Sequence, residues 1–119
     1  MRMWMVEPKL LCRKHLLGEH SEIHKHRHVF EKGWSIAKRI VLPNPQIEPI
    51  SMQKRHNELV REMKIRGYNH QSPFKQPSLS KYDVKVLKKV IVNKEHSLID
   101  LICRCEECKE RYRRYHGND

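Results

Sequence analysis

The 119-residue chain predicts an all-α fold, a single compact domain of about three main helices with long irregular connections. Three observations carry that reading. Apolar residues recur at helical spacing in three stretches near residues 9–28, 52–63 and 98–112. The prolines fall at Pro8 or inside the stretches 43–49 and 73–77, where they forbid a continuous helix. Hydrophobic content of 38% with only 7% aromatic fits a small aliphatic core.

The first helix is predicted to start at Glu7-Pro8 and to run to about Arg27, with proline tolerated in its first turn. On a 3.6-residue wheel Cys12, Leu16 and Ile23 form an apolar stripe. Glu19 lies on that stripe, and His15 and Glu22 lie on its flank. Lys14, Ser21 and Lys25 make the most hydrophilic side, while Leu10 and Leu17 lie elsewhere. Apolar residues thus touch much of the circumference, so this helix is expected to be central. A carboxylate at the border of a buried face is where acid/base chemistry becomes possible, although a solvated or capped glutamate has the same pattern.

Residues 29–50 predict a short helical or irregular piece broken by Gly33, with Trp34 and Ile36 as core material, then an extended connector. Ser51 is a candidate N-cap for the second helix. There Met52, His56, Leu59, Val60 and Met63 share one face, and Gly67 sits where a left-handed cap belongs. Residues 68–81 read as loop. Residues 82–92 are ambiguous, because Val84, Val86, Val90 and Val92 alternate while Val84, Leu87 and Ile91 fit a helix. Asn93 or Ser97 then caps a last helix with an apolar stripe of Leu98, Leu101, Ile102, Cys105, Cys108 and Tyr112.

The chain carries 25 Lys+Arg against 14 Asp+Glu, a formal charge of +11. A polyanion is the partner this implies. No stretch approaches the roughly 18 apolar residues of a membrane span, so no membrane partner is expected. The opening MRMWMVEP is cut off by Glu7 and Pro8, so no signal peptide is expected. A reducing, cytoplasmic setting with free thiols is the expectation for Cys12, Cys103, Cys105 and Cys108.

Cys105 and Cys108, with Cys103 nearby, could be half of a zinc site that a histidine completes. There is no second CxxC pair, and both lie on the apolar stripe, where cysteine packs as a small hydrophobe. Core packing is the expectation. His20, His24 and His28 lie at i, i+4 and i+8, and His15, Glu19 and Glu22 form a second set with ligand chemistry. Neither set has the HExxH order, and neither metal nor cofactor is assigned. A third constellation is the α-amine of Met1 with Glu22. An amine with a reference pKa of about 7.7–8.0 is partly neutral and nucleophilic near pH 7.

The run His15-Leu16-Leu17-Gly18-Glu19-His20-Ser21-Glu22, followed by Lys25, resembles the first-helix motif of the phage pyrimidine-dimer DNA glycosylases. These are ultraviolet-repair enzymes of the endonuclease V type. Arg55-His56-Asn57-Glu58-Leu59-Val60, leading to Arg66-Gly67-Tyr68-Asn69, resembles that family's second long helix. Glu95-His96-Ser97-Leu98 resembles the start of its last helix. The tail Tyr112-Arg113-Arg114-Tyr115 is a looser match to the family's aromatic C-terminus.

The resemblance implies an all-α glycosylase and abasic-site lyase acting on damaged double-stranded DNA as a monomer. A base is flipped out, an N-terminal amine attacks C1′, and β-elimination cuts the strand. Glu22 then takes the place of the catalytic glutamate, and the α-amine of Met1 that of the nucleophile. Arg2 is too large for ordinary methionine removal, so Met1 is expected to stay. Arg2, His15, Lys25, Tyr112, Arg113, Arg114 and Tyr115 are implied to contact DNA. Two departures bear on lesion choice: Ser21 replaces an arginine, and Lys25 replaces another without its planar fork. Two alternatives stand beside this reading. One is a non-catalytic basic nucleic-acid-binding protein with a structural His/Cys zinc site. The other is a metal-dependent nuclease using the first-helix histidines.

Overall fold

A computed structural model describes residues 2–70 and 73–116. Among the described residues there are five α-helices and no strand. These are α1 (Arg13–Lys32), α2 (Met52–Ile65), the one-turn α3 (Val84–Leu87), α4 (Lys94–Arg104) and α5 (Glu106–His116). Short 3-10 segments cover Pro8–Leu10, Ala37–Arg39 and Pro49–Ser51. None of these helices is long and apolar enough to cross a membrane.

α1 starts later and ends later than its periodicity predicts. Pro8–Leu10 is a separate 3-10 turn, and Cys12 is extended at φ −68° and ψ 168°. The cause is tertiary. Arg66 Nη2 donates to the carbonyls of Pro8 at 3.1 Å and Leu11 at 2.7 Å, which satisfies oxygens that a longer helix would have used. At the other end α1 runs past Arg27 to Gly33. The Gly33 amide bonds Phe30 O and the Trp34 amide bonds Val29 O, the paired closure of a Schellman cap. Gly33 has φ +71°, and a Cβ there would approach Lys81 Cδ to 2.9 Å, so backbone conformation and space both favour glycine.

Gly67 closes α2 in the same way at φ +83°, as its position predicts. Ser51 does not cap α2 with its side chain; it ends the Pro49–Ser51 3-10 turn that leads directly into the helix. α1 and α2 run antiparallel, because Leu11 meets Arg66 while Glu19 meets Arg55. Their facing apolar residues, Leu16, Ile23 and Phe30 with Met52, Leu59 and Met63, build the core together with Met3, Trp4 and Ile47. Ile36 joins it, but Trp34 is 54% exposed. Trp34 instead packs its edge on His28.

The ambiguous stretch 82–92 resolves as helix only over Val84–Leu87, where Asp83 Oδ1 accepts from the amides of Lys85 and Val86. The last helix is two helices, not one. Cys105 breaks it with φ −124° and ψ 113°, and its sulfur accepts from the Cys108 amide at 3.4 Å. Asn93 caps α4 through its Oδ1, 3.0 Å from the His96 amide. Ser97 lies inside α4, buried, donating to Trp4 O at 2.6 Å. Asn93→Ala is expected to cost about 1 kcal/mol in urea unfolding, the usual loss of an N-cap. An unchanged midpoint would show that the Oδ1 contact contributes nothing.

Candidate active site

Glu22 occupies the third turn of α1 and is 6% exposed, on the same buried face as Leu16, Glu19, Ile23 and His26. His26, one turn on, faces it. Its Nδ1 lies 3.0 Å from the Glu22 backbone oxygen and 3.3 Å from Glu22 Oε1. Both neighbours accept, so the proton belongs on Nδ1. Burial lowers the His26 pKa, with the Glu22 contacts opposing, so the ring is neutral near pH 7. Arg39 reaches in from the Ala37–Arg39 turn, its Nη2 3.9 Å from Glu22 Oε1.

The N-terminal segment is tied to the same turn. The Met3 amide donates to Gln46 O at 2.9 Å, the Gln46 amide donates to Arg39 O at 2.7 Å, and Arg39 Nη1 donates to Gln46 Oε1 at 2.8 Å. A short relay, Met3 to Gln46 to Arg39 to Glu22, thus joins the N-terminal segment at Met3 to the carboxylate. Met3 is fully buried, which fixes that segment in place. Arg2 lies with its guanidinium 4.8 Å from the Trp4 ring centroid and 3.7 Å from Asp100 Oδ2. Burial pushes its pKa down, while the charges of Asp100 and Glu19 oppose that. Met1 lies outside the described residues.

Behind Glu22, one turn earlier on α1, Glu19 is fully buried and takes two bonds from Arg55: Nε to Oε2 at 2.6 Å and Nη2 to Oε1 at 3.0 Å. Burial opposes the Arg55 charge, but the Glu19 carboxylate outweighs it and the guanidinium pKa is raised. The bidentate geometry makes this pair a fixed support for the face that carries Glu22.

The other residues expected at the site divide. Lys25 is exposed on the side of α1 that also carries Lys14, a cationic strip next to the Glu22 face. His15 turns away from it, with Nδ1 3.1 Å from Cys12 Sγ and 3.6 Å from Cys108 Sγ. In α5, Arg113 pairs with Glu110 at 2.8 Å, Arg114 is exposed, and Tyr115 lies 5.1 Å from Lys9 Nζ. Tyr112 stacks near His116 and lines a cleft of about 530 Å³ with Met5, Glu58 and Lys94. That cleft does not border Glu22.

Neither histidine set read from the first helix forms as a unit. His28 packs on Trp34, apart from His20 and His24. His15, Glu19 and Glu22 have three different sets of partners: cysteines, Arg55 and His26. The helical spacing placed them on neighbouring faces, but each face meets a different element. His26 and Arg39 were not legible as site residues. His26 is one of nine histidines, and Arg39 sits in a segment with no periodic pattern.

The fold and site define a small, strongly basic helical protein whose first helix presents a buried carboxylate between a neutral imidazole and an arginine. That is a layout suited to chemistry on a polyanion. The chain belongs to the pyrimidine dimer DNA glycosylase family, whose family model matches residues 1–76. It is thus a DNA-repair glycosylase by family, with DNA as its substrate class. No curated protein and no solved structure matches the chain.

Proposed function

We propose that this protein removes a damaged pyrimidine and cuts the strand at the resulting site, using the α-amine of Met1 as nucleophile and Glu22 as the carboxylate that manages protons and charge. The observation that carries the proposal is the relay from Met3 through Gln46 and Arg39 to Glu22, which holds Met3, two residues from the proposed nucleophile, on the turn whose Arg39 reaches the carboxylate. The family match, which begins at residue 1, supports the same pairing.

In this reading the amine attacks the sugar C1′, and the C1′–N bond breaks with its electron pair leaving on the base, which takes up a proton. The sugar ring opens to an iminium on the amine. Removal of a C2′ proton then expels the 3′ phosphate by β-elimination. Glu22 stabilises the cationic intermediate and moves the C2′ proton. His26, held neutral with Nδ1 protonated, and Arg39 fix the carboxylate's orientation. Lys25 and Arg2 supply positive charge for the DNA backbone, which makes binding fall steeply with salt. Extruding the target nucleotide costs a few kcal/mol and least at a damaged pair, so the lesion itself contributes to selection.

The test is reductive trapping. Untagged protein incubated with DNA carrying one abasic site, in the presence of borohydride, is expected to give a covalent protein–DNA adduct mapping to residue 1. A short N-terminal extension should abolish it. Strand cleavage with no trapped adduct, or an adduct on an internal lysine, would overturn the amine assignment.

A further inference from the structure

Away from Glu22, two groups of cysteine and histidine side chains converge, and neither has a part in the chemistry above. The first joins the two ends of the chain. Cys12 stands at the N-cap of α1 and His15 one turn in; Cys105 is the residue that breaks α4 from α5, and Cys108 lies in the first turn of α5. Their four donor atoms all lie within 4.8 Å of one another. Cys12 Sγ is 3.1 Å from His15 Nδ1 and 3.8 Å from Cys105 Sγ, and Cys108 Sγ is 3.6 Å from His15 Nδ1. A tetrahedral ion bound at about 2.3 Å to sulfur and 2.0–2.1 Å to nitrogen needs donor separations of roughly 3.5–3.8 Å.

Two further features separate this group from ordinary core cysteines. The Cys12 amide donates to Cys108 Sγ at 3.2 Å and the Cys108 amide to Cys105 Sγ at 3.4 Å, so backbone N–H groups point at the sulfurs as they do at bound thiolates. The helix also breaks at Cys105. An apolar stripe alone would have let α4 continue into α5. Cys103, two residues away, is exposed and outside the group.

The second group is built differently. His20 and His24 of α1, His56 of α2 and His70 beyond it bring four ring nitrogens within 4.8 Å of one another. His20 Nε2 is 3.0 Å from His70 Nε2, and His24 Nε2 is 3.2 Å from His56 Nε2. His56 Nδ1 lies 3.2 Å from Asn57 Oδ1, a carbonyl that accepts from Nδ1–H and so leaves the lone pair on Nε2, the atom that would bind a metal. Phe74 stacks on the His56 ring and edges onto His24, closing the group on its apolar side.

We propose that this chain binds two zinc ions, one at Cys12, His15, Cys105 and Cys108 and one at His20, His24, His56 and His70. Binding at the first site releases three thiol protons to solvent and leaves a centre of charge −1. At the second the imidazoles stay neutral and the centre carries the ion's +2. All four protein ligands are present at each site, with no open position, so both ions are structural. The first ties α1 to α4 and α5, joining the family-matched residues 1–76 to the segment beyond them. The second pins α1 to α2 and to residue 70. His15, on this reading, serves a metal and not DNA.

The test starts from untagged full-length protein made in zinc-supplemented medium and purified without chelator. Metal analysis is expected to give two zinc ions per chain. Titration with an organomercurial, which takes only thiolate-bound metal, should release one of them. Cobalt(II) loaded into the metal-free protein should give a thiolate-to-cobalt charge-transfer band together with the visible bands of a tetrahedral ion. Cys108→Ser should abolish the charge-transfer band and lower the content to one ion; His20→Asn should keep the band and also lower it to one. The cobalt and mercurial measurements use the native sequence, so they decide the matter even where a variant fails to fold. Folded protein with no zinc and no cobalt–thiolate band overturns both sites. One ion per chain, wholly released by mercurial, overturns the histidine site; one ion that mercurial leaves in place overturns the cysteine site.

Discussion

Glu22→Gln is expected to lower strand cleavage by ~10²–10⁴-fold, the usual contribution of a positioned proton-transfer group. That corresponds to about 3–5 kcal/mol of barrier. The substitution keeps the side chain's size, and its carbonyl oxygen can still accept from His26 Nδ1, which lies 3.3 Å from Oε1 in the native chain. Thermal stability and salt-sensitive DNA binding should therefore change little. What disappears is the carboxylate that, in the proposed mechanism, accepts a proton and balances the iminium. Single-turnover nicking of abasic-site DNA is the measurement, with binding followed separately at two salt concentrations. Cleavage within tenfold of the native rate would remove Glu22 from the mechanism. A parallel loss of binding and of folding would mean that its role is to hold α1 and not to act on DNA.

Arg55→Met is expected to be the most destabilising single change in the α1–α2 interface. It leaves the Glu19 carboxylate fully buried with neither of its two guanidinium bonds. Breaking one side of such a pair costs about 3–5 kcal/mol, against a whole-domain stability of about 5–15 kcal/mol. A fall in Tm of more than about 10 °C should accompany it. The double variant Glu19→Leu with Arg55→Met removes both charges and should recover most of the loss, since apolar replacements of buried pairs are often neutral. Urea unfolding of the four species measures the coupling. A single variant that costs under about 1 kcal/mol would show that the pair is not the support described. Because Glu19 lies one turn from Glu22, cleavage by the single variant should fall along with stability, and the double variant should restore both.

Charge and periodicity made the two long helices and the polyanion partner legible. Gly67 declared the end of α2 because a left-handed residue after an apolar stripe has few other uses. Glu22 stood out only as a carboxylate on the flank of a stripe, a pattern that many solvated glutamates share. The run His15 to Glu22 raised it above them. His26 and Arg39 had no such local signal. Arg39 comes from a 3-10 turn in a proline-broken connector, and its approach to Glu22 depends on the backbone pairing with Gln46.

The cysteines show the limit most clearly. On a wheel, Cys105 and Cys108 fall on the apolar stripe of a single helix, and packing is the natural reading. Their partners, Cys12 and His15, lie some ninety residues earlier, beyond any local spacing rule. The same holds for His56 and His70, which complete what His20 and His24 begin. Local sequence determined which stretches are helical, which faces are apolar and that the chain is a strongly basic all-α protein, because those properties depend on neighbours within a turn or two. Tertiary structure alone decided where α1 begins, why the last helix breaks at Cys105 and which of nine histidines meet. Those outcomes depend on which distant side chains the core brings together: Arg66 on the carbonyl of Leu11, the Cys105 sulfur beside Cys12, and Arg55 on Glu19.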